Sequence, residues 1–349
     1  MKRNMLLPTL SEYFVSYLPD TKGVSRNTIV SYQYAFQLLF EFMNDKKGMP
    51  PEKVGFDSLS EENVLGYLEW IEKERGCSPA TRNLRRTAIS SFAKYAMKKN
   101  FGDTLPFYSG ILNIPRKRAQ KKTEIKYFTK EEIEIILKAP NIRTKIGRRD
   151  AVLLSFLYAS GARAQELCDL TVNDVHFGGD TNIRLLGKGN KPRLITIPEV
   201  CASLLKKYMR SVSLDAANSK DRKKHVFSSQ THEKMSVSCV EEIVKKYVVE
   251  VKAAHPHLFG RSTYTPHSFR HSIAVHMLEC GESLIVIKAF LGHASIKTTT
   301  VYCDVTPELA NKYLRERGMA IPILVIQEQD KVDELMNSLP FLKRIGSKS

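Results

Sequence analysis

The 349-residue chain has no long apolar run: its longest apolar stretches, residues 151–159 and 321–326, fall well short of the roughly 18–20 residues that cross a bilayer. A membrane-spanning helix is therefore not expected, and the chain reads as a soluble protein with no membrane partner. A secretory signal is lacking too, because the apolar residues behind Lys2 and Arg3 are broken by Pro8 and followed by Ser11 and Glu12. Six cysteines, at 77, 168, 201, 239, 280 and 303, contain no C-x-x-C pair. That speaks against a disulfide framework and a thiolate zinc site, and for a reducing cytoplasm. There is no H-E-x-x-H motif, no internal repeat and no low-complexity tract.

Negative charge is also scarce, with 37 acidic against 54 basic residues and a net charge of +17. The excess is not a tail: residues 1–122 hold 20 basic and 12 acidic residues, and the remainder holds 34 and 25. A positive field over both halves suits a protein that surrounds a polyanion, since each neutralised phosphate releases counterions. An acidic membrane surface or simple solubility would account for it as well. Hydrophobic residues at 42% supply a core, and a chain of this length is expected to divide into two domains.

The division falls in residues 113–122, which lack apolar periodicity and carry Arg116, Lys117, Arg118, Lys121 and Lys122. This is a linker, and a basic strap there is placed to lie along a phosphate backbone. Residues 1–112 read as an all-helical domain with nothing catalytic, with helical periods over 28–43 and 61–73. Ser78 and Pro79 cap a further helix whose apolar stripe is Leu84, Ala88, Phe92 and Tyr95. Arg82, Arg85 and Arg86 gather on another face, as solvated surface or as phosphate contacts.

Beyond the linker, Thr129 and Glu132 form a reciprocal capping pattern ahead of Ile133, Ile135, Ile136 and Leu137, and a second helix is expected over 149–160. The period then changes to two: residues 182–186 and 193–197 read as a hairpin joined by the glycine turn 187–192. Helical patterns resume from 200 to 317. The expected fold is mainly α with a small antiparallel β-sheet in the second domain, residues 123–320, followed by a tail, 321–349.

Four short patterns in this domain are each weak alone. Gly161-Ala162-Arg163-Ala164-Gln165-Glu166-Leu167 places an arginine behind a helix-ending glycine, with Glu166 one turn on; taken singly, that is a surface ion pair. Lys188 sits in the glycine turn, where a lysine is ordinarily just solvated. His267-Ser268-Phe269-Arg270-His271 begins a helix, whose N-terminal end attracts anions. Leu291-Gly292-His293 is followed, nine residues after the histidine, by Tyr302, which as one of 14 tyrosines is as readily a core residue. His267 and His271, four apart with His276 beyond, have a spacing that zinc also accepts, though without a convincing third ligand.

In this order the patterns resemble the tyrosine recombinase (phage integrase) family, whose signature is Arg, a hairpin Lys, His-x-x-Arg, His or Trp, and Tyr. The resemblance spans residues 161–302, and the N-terminal domain is similar to the family's core-binding module, giving a two-domain DNA clamp. It implies a site-specific recombinase that cuts and rejoins double-stranded DNA at recombination sites through a 3′-phosphotyrosyl intermediate and a four-way junction, as a tetramer on two duplexes. No cofactor and no metal are needed. Phosphodiester transfer of this kind requires a nucleophile, cations for the equatorial oxygens and an acid for the leaving oxygen. Arg163 and Arg270 match the phosphate with planar forks. Tyr302 is the expected nucleophile, His267 the expected acceptor of its proton, His293 a donor to a non-bridging oxygen and Lys188 the acid for the 5′ oxygen. Glu166 orients its neighbours.

Residues after Tyr302 exceed what this chemistry needs, and Val332, Leu335, Met336 and Leu339 at helical spacing suit docking on a neighbouring subunit or on their own domain. A cytoplasmic, nucleoid-associated integrase or transposase of a mobile element is the expected role. A chromosome-dimer resolvase of the same family and a non-catalytic DNA-binding protein are the alternatives, and a type IB topoisomerase-like enzyme is disfavoured by the compact two-domain layout.

Overall fold

The computed structural model describes residues 4–118, 125–187, 189, 191–215, 217–261 and 263–305. The chain divides into two compact units between Lys121 and Lys122. Lys121, Lys122, Lys188 and the tail from 306 onward lie outside the described residues.

The first unit is all-helical. Helix α1, Leu6–Glu12, runs into a π-helical stretch, Tyr13–Thr21, and is followed by α2, Arg26–Lys47, α3, Glu61–Lys73, α4, Pro79–Lys99, and α5, Phe101–Asn113. Ser78 caps α4 by accepting from the Thr81 amide, with Pro79 in the first turn, where a missing N–H costs nothing. Its core joins Phe36, Leu39, Tyr67, Trp70, Phe92 and Phe107. Leu84 is not part of the stripe assigned to it; it is 45% exposed.

The arginines of α4 face inward, contrary to an exposed cluster. Arg82 is 2% exposed, with Nε 3.2 Å from Glu72 Oε2 as an ion pair rather than an aligned hydrogen bond. Its NH1 donates to the Pro115 carbonyl. Buried Arg86 donates to the carbonyls of Ile111 and Ile114, closing acceptors that the end of α5 leaves open. Arg85 donates to the Ser31 carbonyl and covers the Tyr34 ring. Two of the three therefore tie α5 and the start of the linker to α4.

The second unit opens with α6, Lys130–Lys138, whose start is the Thr129/Glu132 capping box. Helix α7, Lys145–Ser160, begins at the Thr144 cap, one turn earlier than the sequence period suggests. After α8, Ala164–Asp169, come three antiparallel strands in sequential order, β1, Val175–His176, β2, Thr181–Leu186, and β3, Pro192–Ile197. Ile183 stands opposite Ile195, and the inward row of β3 is Arg193, Ile195 and Ile197. Helices α9, Glu199–Ser211, α10, Val237–Ala254, α11, Pro266–Glu279, and α12, Leu284–Leu291, complete the core. The described residues between α9 and α10 run in turns rather than as a helix, and are anchored by the bridge of His225 to Thr171. Short 3-10 segments, Ile296–Thr298 and Thr300–Val305, end the described chain. Among the described residues no single helix is long and apolar enough to cross a membrane.

Candidate active site

Two glycines let the site form. Gly161 ends α7 at φ +55°, and Gly292 ends α12 at φ +64°, both in the left-handed region that disfavours side chains. Both also lie where chain segments crowd. A Cβ on Gly161 would stand 2.9 Å from Leu291 Cδ2, and one on Gly292 2.9 Å from Arg193 Cδ.

The reversal at Gly161 leaves Arg163 extended at the start of α8, where Glu166 accepts both from its backbone N–H at 2.9 Å and from its NH1 at 2.7 Å. The same carboxylate takes a two-pronged bond from Arg193, at 2.8 Å on each oxygen. Burial pushes the Glu166 carboxyl up, but the bonds and charge of Arg193, with the bonds of Arg163, outweigh it and hold the group below the usual range. Arg193 is a member of this network that the sequence motifs do not single out. Its one signal there is a charge on the inward row of a strand. Lys188 is outside the described residues. Next to it, the Gly187 amide donates to the Lys191 carbonyl at 2.9 Å, which closes the base of the hairpin turn beside the Glu166 carboxylate.

Helix α11 supplies the middle of the site. Arg270 is 1% exposed and donates to the carbonyls of Gly161 and Leu291, so it joins the ends of α7 and α12. Burial first, and then the charges of Arg163 and Arg193, pull its guanidinium down to about 9, still protonated at neutral pH. Among the described residues Glu166 is the one carboxylate whose charge acts on Arg270, beside the two guanidiniums of Arg163 and Arg193, so positive charge is in excess here. His267, in the first turn, is exposed. His271, one turn further, is half-buried, and its ring lies edge-on to His267 at 5.0 Å.

Tyr302 lies 1% exposed in the last 3-10 segment, packed with Ala274, Val275, Ile287 and Leu291. Its oxygen is 3.1 Å from Nδ1 of His271. His293 stacks on the tyrosine ring at 6.5 Å while its Nδ1 engages Thr299 Oγ1 at 2.9 Å. Burial raises the phenol pKa, and the charges of Arg270 and Arg163 offset part of this. The structure thus brings Arg163, Glu166, His271, Arg270, His293 and Tyr302 into one network, with Arg193 behind it. The sequence points to His267 as the acceptor of the phenolic proton; the histidine bonded to the phenol is His271, for which the sequence offers no role beyond a zinc spacing.

Among the described residues no three His, Cys, Asp or Glu side chains gather as a metal site. His276, the third histidine of the zinc spacing, is buried and bonds the Tyr158 hydroxyl at 2.9 Å.

Burial, followed by the neighbouring cations and imidazoles, pushes His271 and His293 down to about 4. In the unfolded chain both return to about 6.5. Between those values the unfolded state binds more protons, so stability falls as pH falls through the window. Denaturation midpoints should therefore drop from about pH 6.5 to about pH 4. The double variant His271→Asn/His293→Asn should flatten that slope; an unchanged slope would place the acid sensitivity elsewhere.

Two arginine forks, imidazoles and a buried phenol thus lie close together, the kinds of group that phosphoryl transfer to a tyrosine calls for. Relatives of the chain lead to the same class. The phage integrase family profile matches residues 126–308, and that of the phage integrase N-terminal SAM-like domain matches residues 12–100. A putative integrase/recombinase, y4rC of Sinorhizobium fredii, is 30% identical over 87% of this chain and 89% of its own length. The tyrosine recombinase XerD of Halalkalibacterium halodurans is 29% identical over 84% of this chain and 92% of its own. In fold, the chain is similar to the XerH site-specific recombinase in its post-cleavage complex with a palindromic difH substrate (TM-score 0.64, 21% identity, 84% of this chain and 81% of that one). It is also similar to a lambda integrase dimer bound to a core site (TM-score 0.59, 17% identity, 85% and 94%). The chain belongs to the phage integrase family: it is a tyrosine recombinase, an enzyme of site-specific DNA cleavage and rejoining.

Proposed function

We propose that this recombinase is the integrase or transposase of a mobile element, acting as a tetramer on two DNA duplexes that carry its recombination sites. The observation that carries the chemistry is the placement of the Tyr302 phenol among Arg163, Arg270, His293 and His271. Arg163 and Arg270 hold the non-bridging oxygens of the scissile phosphate with His293, and the exposed His267 accepts the phenolic proton. Tyr302 attacks phosphorus and Lys188 protonates the departing 5′ oxygen. Glu166 keeps Arg163 aimed. The bond energy is retained in a 3′-phosphotyrosyl ester, which a 5′ hydroxyl reverses with no cofactor. A nicked duplex bearing the site should trap this ester at a 3′ end in the presence of a chelator; a 5′ link or chelator sensitivity would overturn the reading.

The mobile-element role draws on the y4rC likeness and on the long segment after Tyr302, which we assign to docking on a neighbouring subunit. A chromosome-dimer resolvase is the second reading, favoured by the XerD likeness over nearly the whole of that protein. Deleting the gene separates them: loss of an excised circle supports mobility, whereas accumulating chromosome dimers would replace it. We assign the exposed strap residues Arg116, Lys117 and Arg118, with Lys121 and Lys122, to the DNA backbone. Replacing Arg116 or Arg118 by Ala should lower the slope of log affinity against log salt by about one each. Arg82→Ala should leave that slope alone and instead cost about 2 kcal/mol of stability, read by denaturant titration, because it strips a buried ion pair.

A further inference from the structure

We propose that Arg193 is a positioning residue of the reaction: it occupies Glu166, so that this carboxylate aims Arg163 without capturing it. The proposal rests on Arg163 holding the scissile phosphate.

A carboxylate bonded to a phosphate-binding arginine has two effects of opposite sign. It fixes the direction of the guanidinium, and it competes with the phosphate for the same donors. Which effect wins depends on how much of the carboxylate is already taken. Here each oxygen of Glu166 is shared. Oε1 accepts from NH1 of Arg163 at 2.7 Å and from NH1 of Arg193 at 2.8 Å. Oε2 accepts from the Arg163 backbone N–H at 2.9 Å and from NH2 of Arg193 at 2.8 Å. Arg193 thus spends its whole fork on the group, whereas Arg163 spends one side-chain nitrogen. Among the described residues Nε and NH2 of Arg163 make no hydrogen bond. Burial disfavours the ionised carboxyl, and the bonds and charge of Arg193 do more than the bonds of Arg163 to keep it ionised.

Packing fixes which arginine stays. Arg163 is the accessible one, while Arg193 and Glu166 are buried together. Gly292 closes over Arg193: a Cβ there would stand 2.9 Å from its Cδ, 3.4 Å from its NH1 and 3.5 Å from its Nε. That Nε is buried with no partner among the described residues. A buried ion pair with an unpaired donor adds little stability over apolar side chains of the same volume, which leaves the placing of Glu166 as what this one supplies. Without the charge of Arg193, the full charge of Glu166 falls on Arg163, and a phosphate must compete with it.

Adduct formation is followed in single turnover, per folded full-length protein, on a nicked duplex whose site the purified protein has selected from random sequence. Arg193→Gln, which keeps a donor and loses the charge, should slow it about 10²-fold. Arg193→Lys, which keeps the charge and loses the fork, should stay within about fivefold of the parent. Adding Glu166→Gln removes the competing charge and leaves one oxygen to aim Arg163. The double variant Arg193→Gln/Glu166→Gln should therefore recover at least about fivefold over Arg193→Gln alone. With the carboxylate charge gone, Arg193 has nothing left to offset, so Glu166→Gln with and without Arg193→Gln should agree within about threefold. That comparison carries the test even where Arg193→Gln alone does not fold. Parental speed in Arg193→Gln, equal losses in the Gln and Lys variants, or no recovery in the double variant would each overturn the proposal. So would a further loss beyond about tenfold in the Glu166→Gln background, because the charge of Arg193 also reaches Arg270 and His293 and would then be acting there directly. Arg163→Ala checks the reading beneath: at parental speed the phosphate assignment of Arg163 falls, and if it is dead while Arg193→Gln runs at full speed, only the role of Arg193 falls.

Discussion

Tyr302→Phe is expected to abolish the covalent protein–DNA adduct, a loss of at least about 10⁴-fold, with DNA affinity almost unchanged. The substitution deletes one oxygen from a side chain that is 1% exposed, so the ring keeps its packing against Ala274, Val275, Ile287 and Leu291. What it leaves behind is His271 Nδ1 without its partner, a cost of about 1 kcal/mol in stability. Binding and catalysis should therefore separate cleanly: the arginine forks still hold phosphate, and nothing attacks it. Cys303 supplies the control, because it is an exposed potential nucleophile next in sequence. Cys303→Ser should form adduct at the parental rate. A Tyr302→Phe protein that still became linked to DNA, with the link lost in the Cys303→Ser background, would move the chemistry to the thiol.

The parts of this site that the sequence reveals are those written in local rules. A glycine at the end of an apolar period predicts the left-handed caps at Gly161 and Gly292, and Thr129 with Glu132 predicts the start of α6, because each depends on backbone groups within one turn. The order of Arg163, Lys188, His267, Arg270, His293 and Tyr302 points to phosphoryl transfer from the chain alone. Contacts between distant segments are a different matter. The burial of Arg82 and Arg86 depends on where the carbonyls at the end of α5 and in the linker come to rest, which no helical period on α4 encodes. The pairing of Arg193 with Glu166 requires the start of β3 to pass beside Gly292. Which histidine the phenol contacts, His271 and not His267, is set by the approach of the last 3-10 segment to α11, and both histidines share one face at a spacing of four. The 212–236 segment falls in the stretch that reads as helical, yet the backbone bonds of its described residues go to turns and to the Thr171 bridge.

Glu166→Ala should damage folding and chemistry together, because one carboxylate serves two arginines that answer to different elements. Arg163 is a third exposed and can turn to water; Arg193, at 10%, cannot, and would be left as an unpaired buried cation. Breaking such a pair from one side costs about 3 kcal/mol. Loss of the aim of Arg163 should slow adduct formation by about 10²-fold beyond any loss of folded protein. A double-mutant cycle with Arg193→Ala distinguishes this account from mere core damage: if the ion pair is the cause, the two losses overlap by about 1–3 kcal/mol, and strictly additive losses would dismiss it. The pH dependence provides an independent reading. Glu166 is held below its unfolded value, so its contribution is present above about pH 4.3 and is lost as pH falls through the lower folded value. The imidazoles of His271 and His293 act in the higher part of the scale, from about 6.5 down to about 4. Glu166→Gln should therefore flatten the stability curve only at its acid end and leave the imidazole slope in place, and a change confined to the higher window would assign the effect of Glu166 to the histidines it faces.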